Sequence, residues 1–185
     1  MNLMTILKEG VKDPRRGQGQ RYTLPQLFTM IILSNMCGYL GGRPVAKLSK
    51  NHASTLNDLL VLKHGTPSHV VFSDIMIRVD ENELIRAFNK WTSGYVPLQI
   101  GDDMSGDGKA LRSTIKDSKG SGQKFQAVVS IFCQQSGLVY ALKQYQNSKE
   151  SEINVVQFLL QKLKDMKITL FLDALHAQKN YKNDC

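Results

Sequence analysis

A change of hydrophobic period partway along the 185 residues constrains the fold more than any other feature. Up to about residue 93, apolar side chains recur every three to four positions, the spacing of helices that bury one face. Past Ser93-Gly94 and Pro97 the spacing drops towards two, as in strands with a buried side. Separate blocks of each pattern predict an α+β protein. An all-helical domain over residues 1–95 is expected to precede an α/β domain over 96–185.

Within the first block, Thr23-Leu24-Pro25-Gln26 is a helix start: Thr23 caps, Pro25 suits the first turn, and Gln26 falls at the capping-box position. The helix from Leu27 to about Cys37 is apolar nearly all round and belongs in the middle of its unit. A second helix is predicted from Pro44 to Leu62, burying Val45, Leu48, Leu56, Leu59 and Leu60. Thr66-Pro67-Ser68 opens another through Val71, Ile75 and Val79. Asp80 with Glu83 forms a further capping pair, ahead of the stripe Leu84, Phe88, Trp91. His52, His64 and His69 share no ligand spacing and are assigned surface or capping roles.

In the second block, Phe125 to Cys133 and Leu138 to Tyr145 are strands around a turn at Gln135-Ser136-Gly137. Glu152 to Met166 is a helix with the stripe Ile153, Val156, Leu159, Leu160, Leu163 and Met166. Ile168 to Leu172 is a buried strand, and Ala174 begins a last helix.

Charge narrows the partners. Lys and Arg number 24 against 16 acids, a net charge of +8 that favours a polyanion, with nucleic acid ahead of an acidic membrane surface. Cys37, Cys133 and Cys185 are too few and too scattered for a disulfide framework or a zinc knuckle, and fit reduced thiols of a cytoplasmic protein. Met1 to Gly10 lacks the apolar core of a signal peptide. Leu27 to Leu40 is broken by Thr29, Ser34, Asn35 and Gly38, so no membrane association is expected.

Two places carry candidate chemistry. Gly101-Asp102-Asp103-Met104-Ser105-Gly106-Asp107-Gly108 is rich in carboxylates, and Asp173 ends the run Leu170 to Leu172. Singly, such residues make turns and helix caps. Together, two carboxylates on neighbouring strands can share divalent ions of the magnesium or manganese class, which prefer oxygen ligands and serve phosphoryl transfer. Lys109, Arg112, Lys116, Lys119 and Lys124 follow Asp107, and Arg15 and Arg16 sit in the turn after Asp13-Pro14. All are candidate contacts to a DNA backbone. A phosphate loop built on Gly101, Gly106 and Gly108 fits neither the dinucleotide fingerprint nor the P-loop spacing.

Four ordered blocks then resemble bacterial insertion-sequence DDE transposases of the H-repeat-associated type. D-P-R-R with Y-T-L-P-Q-L, and T-P-S-H before F-N-K-W, are similar to that family's helical associated domain. D-G-K-A-L-R-S-T is similar to the block of its first catalytic aspartate, K-E-S-E-I to its K-S-N-E-I, and D-A-L-H-A-Q-K to the block of its second aspartate. The resemblance implies that residues 96–185 are the incomplete start of a ribonuclease-H-like α/β domain. Asp107 would lie on its first strand and Asp173 at the end of its fourth, both holding Mg2+ or Mn2+ for cleavage and transfer of double-stranded DNA at insertion-sequence ends. His176, Gln178 and Lys179 lie in the matched block, and Glu152 in the third is read as a helix-start residue. The family's third acid, a glutamate on a later helix, would lie beyond residue 185. A truncated, inactive transposase is therefore expected, with homo-oligomers possible. The competing expectation is a DNA-binding remnant without catalysis, built on the basic helical half.

Overall fold

The computed structural model describes residues 2–18, 20–94, 99, 101–111, 114–115, 124–161, 163 and 167–173. Helices fill the first half and a mixed sheet the second, the α+β class expected from the change of period. Contacts divide the chain into two compact units, Met1–Ala87 and Phe88–Cys185.

The first unit contains α1 (Leu3–Gly10), α2 (Leu24–Met36), α3 (Gly42–Asn51), α4 (Ala53–Leu60), α5 (His69–Arg78) and the start of α6 (Glu81–Thr92). The starts of α1, α2 and α6 each have a local cause. Asn2 Oδ1 accepts the Thr5 N–H at 2.9 Å. Thr23 and Gln26 complete the capping box: Gln26 Oε1 accepts the Thr23 N–H at 2.8 Å, and Thr23 Oγ1 accepts the Gln26 N–H at 3.4 Å. Gln26 Nε2 also donates to the Leu60 carbonyl, which ties α2 to the end of α4. Asp80 Oδ1 caps α6 by accepting from Asn82 and Glu83. Glu83 does not complete a box there, because its carboxylate accepts the Lys12 N–H at 2.8 Å.

Leu27, Phe28, Met30 and Ile31 of α2 are buried with Val45, Leu56, Leu60, Phe72 and Ile75. The single helix expected from Pro44 to Leu62 is instead two, broken at His52, whose φ of −112° and ψ of 29° leave the helical region. Ser49, Asn51, His52, Ser54 and Thr55 are weak helix formers, and the short pieces can turn so that Val45 and Leu56 both face the core. Leu59, predicted inside, is 62% exposed. Among the described residues no helix is long and apolar enough to cross a membrane.

The second unit is a four-stranded sheet of order β3-β2-β1-β4, formed by β1 (Asp103–Ala110), β2 (Gln126–Cys133), β3 (Leu138–Gln146) and β4 (Thr169–Leu172). β1 to β3 pair antiparallel in succession, whereas β4 returns beside β1 in parallel after α7 (Glu152–Gln161). Val155, Val156 and Leu159 of α7 pack with Met104, Ala127, Val129 and Ile131 on one sheet face. At the β3 edge, Asn89 of α6 pairs with the backbone of Leu142 as a strand would: its amide donates to the carbonyl and accepts the N–H, both at 2.8 Å. Thr92 Oγ1 donates to Tyr140 at 2.8 Å, where a bulge shifts the β2–β3 register. The last turns of α6 thus satisfy part of an otherwise open edge.

Candidate active site

β1 is rich in turn-forming residues, yet it is one of the two inner strands of the sheet and carries Asp107. Its burial alternates, with Met104 and Gly106 buried and Asp107 and Lys109 exposed. Two glycines make this possible. A Cβ on Gly106 would lie 2.8 Å from Leu172 Cδ2 and 3.3 Å from Ile131 Cδ1. A Cβ on Gly108 would lie 2.5 Å from the Glu152 carboxylate. Neighbouring side chains fill the space that an apolar residue of β1 would occupy. For the same reason Gly106 and Gly108 form no phosphate loop; they belong to a strand.

The parallel pairing sets the relation of the two aspartates. Asp103 pairs with Thr169, Met104 with Leu170, Ser105 with Phe171 and Gly106 with Leu172. The pairing ends there, with Asp107 the next residue of β1 and Asp173 the first residue after β4. Adjacent strands are about 4.8 Å apart, so each aspartate directly follows one member of a closely spaced backbone pair. Both residues are exposed and continue the outward parity of Ser105 and Phe171. Asp107 thus lies within its strand rather than past its end, and only Asp173 follows a strand terminus. Ser130 of β2 is the partner of Asp107 on the other side.

The donor chemistry fits a hard divalent cation. Carboxylate oxygens suit magnesium or manganese, and magnesium sites commonly use one or two carboxylates, completed by water and phosphate oxygens. Among the described residues, no group of three or more His, Cys, Asp or Glu side chains gathers around a metal position.

The opposite face of β1 holds a feature that sequence reasoning assigned to helix capping alone. Glu152, the first residue of α7, lays its carboxylate over Gly108, and its Oε2 accepts the Tyr145 hydroxyl at 3.2 Å. Burial, reinforced by the charge and hydrogen bond of Glu152, pushes the Tyr145 hydroxyl up to about 12. A glycine directly after the strand aspartate was the available signal, because it marks a place where something approaches the backbone.

The predicted basic contacts divide. Lys109 is exposed two positions after Asp107 on the same face, and Lys124 is exposed just before β2. Arg112, Lys116 and Lys119 lie outside the described residues, as do His176, Gln178 and Lys179. Arg16 is exposed, but Arg15 is committed to its own loop. Its guanidinium pairs with Asp13 at 2.6 Å and donates to the Tyr22 carbonyl at 2.9 Å. That hydrogen bond from Arg15 holds the Asp13 carboxyl below its ordinary value.

Residues 7–92 match the family described as DDE_Tnp_1-associated. The helical half is thus similar to a domain associated with DDE transposases. An uncharacterized protein in the dhlA 3' region of Xanthobacter autotrophicus is 22% identical over 173 residues, covering 92% of this chain. The chain spans 57% of that relative's length. No solved structure matches the chain. The match covers all of α2 to α6 and includes the arginine-bearing loop after α1, whereas Asp107 and Asp173 lie outside it.

Proposed function

We propose that the chain serves DNA transposition and that its sheet unit carries two aspartates of a DDE phosphoryl-transfer centre. The observation behind this reading is the β1–β4 register, in which Gly106 and Leu172, the residues directly before Asp107 and Asp173, form a parallel pair. In this reading the sheet is the start of a ribonuclease-H-like domain, and both aspartates hold Mg2+ or Mn2+. Such ions, when bound, polarise the phosphate and favour attack and departure of its oxygens.

The chain's own residues do the rest. Asp107 is placed by the ladder to Ser130 and Asp173 by the end of β4. Lys109 offers a cation to a phosphate on the same face. Gly108 lets α7 close over the other face, so the backbone beside Asp107 is held from behind. Two carboxylates without a third hold such an ion weakly, so DNA cleavage by these residues alone is expected to fall below detection.

Calorimetric titration with Mn2+ tests the reading. Wild type is expected to bind, Asp107→Asn and Asp173→Asn each to weaken binding by about tenfold, which is about 1.4 kcal/mol, and the double variant to abolish it. Equal binding by all four proteins would leave a DNA-binding module without a catalytic centre as the better account.

A further inference from the structure

The helical unit contains a cleft of about 940 Å3 between the loop after α1 and one side of α5. Its wall includes Arg15, Arg16, Arg21 and Arg78, with Asp74 as the one carboxylate among the described lining residues. The arginines divide into two kinds. Arg15, 13% exposed, is held by Asp13 and the Tyr22 carbonyl. Arg78 donates to the Pro14 carbonyl and pairs with Asp74 at 3.1 Å, fastening the loop to α5. These two spend their hydrogen bonds on the shape of the cleft. Arg16 and Arg21 are exposed, line the same space, and present guanidinium groups to solvent.

We infer that this cleft grips the phosphate backbone of duplex DNA, with Arg16 and Arg21 as the contacting pair and Arg15 and Arg78 as positioning residues. A guanidinium matches two phosphate oxygens with parallel N–H donors, which an ammonium group cannot do. Gln18, Gln20 and Ser68 line the same wall and add neutral donors of the kind that contact backbone oxygens. With two of four arginine charges neutralised internally by Asp13 and Asp74, the contact is modest and independent of base sequence. The inference rests on the transposition reading only for choosing DNA among polyanions.

The test is fluorescence anisotropy of a labelled random-sequence duplex titrated with the full chain across a range of KCl concentrations. Arg16→Ala with Arg21→Ala is expected to weaken binding by about tenfold and to lower the salt slope by about two, one for each lost phosphate contact. Lys47→Ala with Lys50→Ala, exposed on α3, removes the same charge elsewhere and is expected to leave the slope unchanged. Arg16→Gln with Arg21→Gln removes the charge but keeps a polar side chain and is expected to repeat the loss, so a folding defect in the alanine variant does not decide the outcome. An unchanged slope in both arginine variants, or an equal loss in the lysine variant, overturns the inference. So does binding of phosphatidylserine vesicles in place of the duplex. Asp107→Asn with Asp173→Asn is expected to leave this slope intact, and the arginine variants to leave Mn2+ binding intact, so either reading can fail alone.

Discussion

α2 and β1 are each central to their unit, and they achieve burial by opposite means. α2 brings its own apolar volume: Leu24, Leu27, Phe28, Met30 and Ile31 are all buried. β1 reads D-M-S-G-D-G-K-A, with Met104 its one large apolar side chain, yet it lies between two paired strands. Its core is lent by others, since Leu172 and Ile131 fill the space over Gly106 and Glu152 that over Gly108. A segment can therefore be central without being hydrophobic, provided its neighbours reach across it. The same economy leaves the outward face of β1 free to carry a carboxylate.

The two strategies fail differently under substitution. Leu27→Ala empties a fully buried site in α2 and is expected to cost about 2–5 kcal/mol by urea denaturation. Gly106→Val does the reverse in β1, forcing a side chain against Leu172 and Ile131, and is expected to cost about 1–3 kcal/mol. A neutral Gly106→Val would break the comparison, because it would mean that the space over β1 is not filled. Thr23→Ala removes half of the capping box and should lower stability by about 1 kcal/mol, confined to the helical unit in amide hydrogen exchange.

Tyr145→Phe sharpens the comparison on the sheet side. It deletes the hydroxyl donated to Glu152 and should cost about 0.5–1 kcal/mol at neutral pH. The hydroxyl titrates near 10 in the unfolded chain and at about 12 in the folded one. Its stabilising effect is complete below pH 10 and is lost as pH rises towards 12, because the unfolded chain gives up the proton first. The alkaline fall in stability should therefore be shallower in Tyr145→Phe than in wild type.

The helical half was largely legible because helix signals are local. Thr23 to Gln26 spans one turn, and the structure forms the box those residues imply. The break at His52 was missed because apolar residues continue on both sides of it, and only dihedral preference separates α3 from α4. The strands and turn at Gln135 to Gly137 were legible for the same local reason, helped by Gly137 with φ +70°. The register of β1 against β4 was not, since 66 residues separate Asp107 from Asp173 and no short pattern encodes a parallel pairing. Glu152 looked like a helix-start residue and is one, but its place over Gly108 depends on packing α7 on the sheet.

The most direct test of the two-aspartate centre is paramagnetic broadening in a 15N–1H spectrum of the full chain during addition of Mn2+. The account predicts that the amides of residues 106–108 and 172–173 broaden first, and that Asp107→Asn with Asp173→Asn removes the effect. Broadening that begins elsewhere, or that survives the double substitution, would contradict it.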